Sequence, residues 1–186
     1  MRMRTAGILA GLALVLAGCA EVTKIGTSVG VATGRITEEQ KQALDLSSEK
    51  ASEQITPEQE YYIGRSVAAT ILASYKSFDQ EAATRYVNVL GQTLALASKK
   101  PETFGGYHFG ILDTDEINAF AAPGGVILVS RGLLRCCRSE DALAAVLAHE
   151  VGHVEREHGL GAIEKSRRTA FVTTLAVTAG KSLGKA

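Results

Sequence analysis

The stretch Ser139-Glu140-Asp141-Ala142-Leu143-Ala144-Ala145-Val146-Leu147-Ala148-His149-Glu150-Val151-Gly152-His153-Val154 decides how this chain is read. Ser139 is a good helix N-cap, and Glu140 and Asp141 follow where the helix dipole favours anions. Leu143, Val146, Leu147, Val151 and Val154 recur at helical spacing and give the helix its buried face. Inside it lies His149-Glu150-Val151-Gly152-His153, an HExxH pattern. Residues four apart sit one turn apart on the same face, with Cβ atoms about 5–6 Å from one another. Two imidazoles so placed can hold one zinc ion at about 2.0–2.1 Å. Glu150 is rotated about 100° from His149. It therefore stands beside the metal, where it can act as general base on a zinc-activated water. The expected set is His149 and His153 as metal ligands, Glu150 as the catalytic base, and one Zn²⁺ per chain. Such a triplet arises by chance in roughly one chain of this length in two hundred.

His158 follows His153 by five residues. On a straight helix it is turned about 140° away, so it is expected to play a structural or supporting role. Gly152 costs up to about 1 kcal/mol inside a helix, which is tolerable where a backbone or substrate must come close.

Upstream of this helix the period changes. Tyr107, Phe109 and Ile111 alternate as in a strand, and Ile117–Ala121 and Val126–Val129 read as two more. Pro123-Gly124-Gly125 joins the last two, and its glycines supply the positive φ values of a tight turn. Leu133 and Leu134 open another helical stretch. Further upstream, Thr56-Pro57-Glu58-Gln59 reads as a capped helix start with proline at the first position. Ile63, Val67 and Ile71 form one face of that helix. A second helix from Asp79 carries a stripe of Tyr86, Val89, Leu90, Thr93, Leu94 and Ala97, and Lys99-Lys100-Pro101 ends it.

The N-terminus reads as an address. Arg2 and Arg4 precede an apolar run over 6–17 that is too short to span a bilayer as a helix. Leu16-Ala17-Gly18-Cys19 then resembles the lipobox of bacterial lipoproteins, in which the cysteine is lipidated. Residues 1–18 are thus expected to be a signal peptide and 19–55 a tether. Residues 56–186 are expected to form the metallopeptidase domain. By resemblance to Gram-negative lipoprotein sorting, Ala20 after the cysteine implies a periplasmic protein held by lipid on the outer membrane. Cys136 and Cys137 are adjacent, too close in Cα spacing to bridge each other easily. The chain has 186 residues, with 20 basic and 20 acidic side chains, so it lacks the electrostatic footprint of a nucleic-acid binder.

Three further stretches carry a resemblance. They are Asn118-Ala119-Phe120-Ala121-Ala122-Pro123-Gly124-Gly125, Ser130-Arg131-Gly132-Leu133-Leu134, and Leu147–Val154 with Arg156-Glu157-His158. From about Thr56 to Gly161 the chain resembles peptidase family M48, the CAAX-prenyl-protease and HtpX-like zinc metalloendopeptidases. The resemblance implies an α+β fold of the zincin-like, gluzincin kind, mainly helical with a small β-sheet or hairpin beside the HExxH helix. It implies that the strand at Asn118, Ala119 and Phe120 borders the cleft, where a peptide substrate can add as a β-strand. It also implies an endopeptidase acting on misfolded or misassembled envelope proteins.

One departure from the family pattern stands out. The family's third ligand is a glutamate on a later helix, and only Glu164 in Ala162-Ile163-Glu164-Lys165-Ser166 is available after Glu157. Nothing around it matches the third-ligand motif. The expectation is a chain incomplete at its C-terminus, and the alternative is a non-catalytic, chaperone-like binding module with a degenerate site.

Overall fold

The computed structural model describes residues 20–34 and 36–183. Residues 1–19, with the signal-peptide and Cys19 expectations, lie outside the described residues. The described chain is mostly helical, with one three-stranded sheet. It divides into two compact units, residues 55–162 and a second that joins the N-terminal helices to the chain from Ile163 onward.

In the second unit, α1 (Ala20–Ala32) packs on α2 (Glu38–Ser52). Thr37 caps α2 in a reciprocal box with Gln40. Leu44 is buried, and Thr27 donates to Asp45 Oδ1 at 2.7 Å. The stretch read as a tether therefore carries two helices. No helix among the described residues is long and apolar enough to cross a membrane.

The 55–162 unit starts at α3 (Pro57–Ser74), capped by Thr56 with Gln59 as the sequence predicts. Then come α4 (Glu81–Leu96), β1 (His108–Leu112), β2 (Ala119–Ala122) and β3 (Val126–Ser130). Two more helices follow, α5 (Arg131–Cys136) and α6 (Glu140–Glu155), before α7 (His158–Leu183) begins. The sheet order is β1-β3-β2, with β1 parallel and β2 antiparallel to the central β3. Pro123–Gly125 forms a single 3₁₀ turn, in which Gly124 has φ 73° and Gly125 φ 99°. L-residues with side chains avoid those values, so the hairpin depends on both glycines.

Tyr107, Phe109 and Ile111 of the β1 segment, Ile127 and Val129 of β3, and Val87 and Ala95 of α4 meet Leu143, Leu147, Val151 and Val154 of α6 in one core. Leu128 and Ser130 are buried as well, so β3 is covered on both faces.

Two helix faces differ from the expected ones. On α3 the buried line is Glu60, Gly64 and Ala68, one position along from Val67 and its neighbours, and Val67 is exposed. On α4 it is Val87, Gly91 and Ala95; Leu90 and Leu94 of the expected stripe pack against the core, while Tyr86 and Val89 face outward. The cause is close approach. A Cβ built on Gly64 would stand 1.8 Å from the Pro123 carbonyl oxygen, and one on Gly91 would stand 2.5 Å from the Phe109 ring. Helix α4 also starts at Glu81 rather than Asp79, with no side-chain cap at Gln80.

Candidate metal centre

Helix α6 begins as the sequence predicts, with Ser139 Oγ accepting from the Ala142 N–H at 3.2 Å. Its aliphatic face, Leu143, Leu147, Val151 and Val154, is sunk into the core, and Val146 is only partly buried. That anchoring fixes the rotation of the helix and leaves His149 exposed, with Glu150 deeper than His149. His149, Glu150 and His153 offer ligand atoms that all lie within 4.8 Å of one another. The two Nε2 atoms are 3.1 Å apart, and the rings stand edge to face. Nitrogens each about 2.0–2.1 Å from a tetrahedral ion lie roughly 3.3–3.4 Å apart, so the pair needs only a few tenths of an ångström to chelate one cation. Imidazole nitrogen with carboxylate oxygen is a donor set suited to zinc. The residues present therefore fit the metal. Among the described residues no further His, Cys, Asp or Glu joins this group. A Cβ on Gly152 would meet nothing within 4 Å, so no backbone among the described residues explains that glycine.

Helix α6 does not run straight on into α7. Glu157 has φ 53°, a left-handed break. The straight-helix placement of His158 fails for that reason: its Nδ1 lies 2.8 Å from the Nδ1 of His153. Glu164 lies beyond, in α7, where its carboxylate is 4.0 Å from Arg168.

An ion-pair network around one buried carboxylate, which periodicity does not register, lies beside this break. Glu60 is buried, accepts from the Gly124 N–H at 3.0 Å, and pairs with Lys100 Nζ at 3.1 Å. Lys100 also pairs with Glu157 at 2.9 Å. Burial alone would lower the Lys100 pKa. The hydrogen bonds and charges of Glu157 and Glu60 outweigh it and hold the ammonium above the ordinary lysine value. In the sequence Glu60 reads as one more first-turn acid on a capped helix, so nothing marked it out.

The strand expected to border a cleft, β2, is one of the sheet's two edge strands. β2 pairs only with β3 within the sheet and packs against α6. Asn118 enters it with its N–H donating to Ser130 Oγ at 3.1 Å, and its own Oδ1 accepts from the Ala119 N–H. The Phe120 ring packs at 5.9 Å from Tyr75. Ser130, fully buried, also donates to the Glu116 carbonyl and caps α5. Arg131 grips Asp113 and Asp115, so the loop leading into β2 is tied down at both ends. Cys136 and Cys137 are both free thiols. Burial, then the neighbouring Cys136, raises the Cys137 pKa, and its thiol donates to the Leu133 carbonyl.

The profile of peptidase family M48 matches residues 81–185. The beta-barrel assembly-enhancing protease of Yersinia pestis is 38% identical over 94 residues, covering 50% of this chain and 19% of that protein. Its namesake in Escherichia coli K12 is 39% identical over 90 residues, covering 48% and 18%. The mitochondrial metalloendopeptidase OMA1 of Schizosaccharomyces pombe is 44% identical over 59 residues, covering 32% and 18%. The chain thus spans about a fifth of the length of these relatives.

Proposed function

The chain belongs to peptidase family M48, and from that premise we propose that it is a zinc-dependent endopeptidase of the bacterial envelope. The observation that carries the reading is the convergence of the His149 and His153 Nε2 atoms, 3.1 Å apart, on one face of α6. In this reading His149 and His153 hold the metal and Glu150 is the general base. A bound zinc ion supplies Lewis acidity, making a water molecule easier to deprotonate and drawing electron density from the scissile carbonyl. Glu150 takes the proton of the attacking water and returns it to the leaving amine. The helix itself orients the three groups, because its opposite face is locked in the core. The fold is then of the zincin-like, gluzincin kind.

Asn118, Ala119 and Phe120 would receive an extended peptide along the edge of β2. Main-chain hydrogen bonds would hold it there with little dependence on sequence. Such recognition suits unfolded or misassembled proteins, and two of the relatives are named for enhancing β-barrel assembly. Residues 1–18 as a signal peptide and a lipid on Cys19 would place the 56–186 domain in the periplasm, tethered to the outer membrane. Nucleic acid has no part in this reading.

The test is Glu150→Gln. Zinc stoichiometry should stay near one per chain, while hydrolysis of an unfolded protein should fall by about 10²–10⁴-fold. Undiminished hydrolysis by the variant removes Glu150 from the mechanism.

A second reading, a binding module with a weakened metal site, draws on the donor set itself. Among the described residues it holds two imidazoles and the carboxylate assigned as base. Zinc lost on dialysis, with unfolded protein still bound, would favour it.

A further inference from the structure

We propose that His158 is a positioning residue of the metal centre: it accepts the Nδ1 proton of His153 and so fixes that ring with Nε2 free to bind the cation. The inference rests on the zinc site proposed above and goes beyond it, since it assigns a residue outside the HExxH pattern.

Tautomers decide whether two imidazoles can share one cation. The Nε2 atoms of His149 and His153 point at one another. Both can donate a lone pair to one cation only if each ring carries its proton on Nδ1. The Nδ1 of His153 lies 2.8 Å from the Nδ1 of His158, a hydrogen-bond distance. One of the two nitrogens must donate and the other accept. With His153 protonated at Nδ1, His158 accepts there and keeps its own proton on Nε2. The alternative arrangement puts the His153 proton on Nε2 and blocks the site. Zinc on the His153 Nε2 requires the first arrangement, in which His158 is the acceptor that holds the His153 Nδ1 proton and keeps that ring in place.

The position of His158 is itself determined. It sits directly after Glu157, whose φ of 53° ends the run of α6 and turns the next residue back toward His153. Both flanks of His158 are pinned. Glu157 is held by Lys100, which is held in turn by buried Glu60. Gly159 lies so close to Pro123 that a Cβ there would be 2.9 Å from the proline ring. Glu60 also accepts from the next residue of that turn, Gly124. The hairpin turn and the ion-pair network thus hold one short segment, and the side chain it presents touches a proposed ligand.

The full 186-residue chain is the material for the test. Two variants separate the acceptor from the ring: His158→Phe keeps a planar ring and removes the acceptor, and His158→Asn places an oxygen near the Nδ1 position. His158 is exposed, so neither should disturb the fold; circular dichroism checks this. Zinc affinity is read by competition with a chromophoric chelator. His158→Phe is expected to bind zinc about 10–100-fold more weakly than wild type, and His158→Asn to recover most of that loss. The second readout is the imidazole N–H of His153 in the zinc-loaded protein, followed by NMR. It should exchange slowly in wild type and His158→Asn and be lost to rapid exchange in His158→Phe. Equal affinity and equal exchange in wild type and His158→Phe overturn the proposal. His149→Ala serves as the control. If wild type binds zinc no better than that variant, the metal site itself fails, a result distinct from any effect at His158.

Discussion

Helices α6 and α3 bury opposite kinds of side chain. α6 sinks four large aliphatics, Leu143, Leu147, Val151 and Val154, and keeps its chemistry on the outer face. α3 buries a carboxylate and two small residues, Glu60, Gly64 and Ala68, and leaves Tyr62, Val67 and Leu72 exposed. The first helix is held by apolar area removed from water. The second is held by backbone proximity: Gly64 lies against the Pro123 carbonyl, and Glu60 reaches the Gly124 N–H. The pattern that makes α6 readable from sequence therefore misleads on α3. Hydrophobic periodicity measures side-chain bulk, and the α3 contact exists because bulk is missing.

Gly64→Val tests that comparison most severely. A Cβ at this position would be 1.8 Å from a backbone carbonyl oxygen, which no rotamer change can relieve. Either α3 or the hairpin turn must move. Overpacking costs typically 1–3 kcal/mol and sometimes more. Because backbone must shift and the Glu60 contact goes with it, a loss of about 3 kcal/mol or more is expected in urea unfolding. A variant as stable as wild type would mean that the two backbones do not meet.

Where a feature rests on local chemistry, the sequence announced it. Thr56, Ser139 and the Gly124-Gly125 pair act through groups within a few residues, and each appears in its expected role. The convergence of His149, Glu150 and His153 is legible for the same reason, since one helical turn determines it. What escaped reading depends on groups far apart in the chain. Glu60, Lys100 and Glu157 become partners only when three separate segments meet, and none has a distinctive neighbourhood in sequence. A straight helix turns His158 away from His153, whereas the left-handed residue before it reverses its direction. Ser130 shows both sides. Its cap on α5 is a local matter, but its hold on Asn118 and Glu116 needs the folded hairpin.

Lys100→Met is the next test, because it removes the charge that α3 buries a carboxylate to meet. Glu60 then keeps only the Gly124 N–H, and a loss of about 1–3 kcal/mol at neutral pH is expected. The sign with pH follows from the raised pKa of Lys100. A cation whose folded pKa lies above its unfolded value contributes fully below the unfolded value, near 10.5. That contribution disappears as pH climbs through the folded pKa. The stability difference between wild type and Lys100→Met should therefore hold flat from neutrality to about pH 10 and shrink above it. A difference that persists undiminished well above that point would show that packing of the lysine stem, and not its charge, supports α3.

Val67→Thr should have the smallest effect, and its size decides which face of α3 is the inner one. Valine and threonine are close in shape and in helix propensity, so the exchange chiefly asks whether a hydroxyl can stay hydrated. Were Ile63, Val67 and Ile71 the packed face, the hydroxyl would be buried and would cost about 1–3 kcal/mol. In the structure Val67 is exposed while Gly64 and Ala68 turn inward. The expected change is within about 0.5 kcal/mol in the same urea titration, the ordinary scale for a surface position. A loss above 1 kcal/mol would return α3 to the aliphatic kind of packing seen in α6. The Glu60 contacts with Lys100 and Gly124 would then need a different origin, because a helix turned to bury Val67 carries Glu60 away from both.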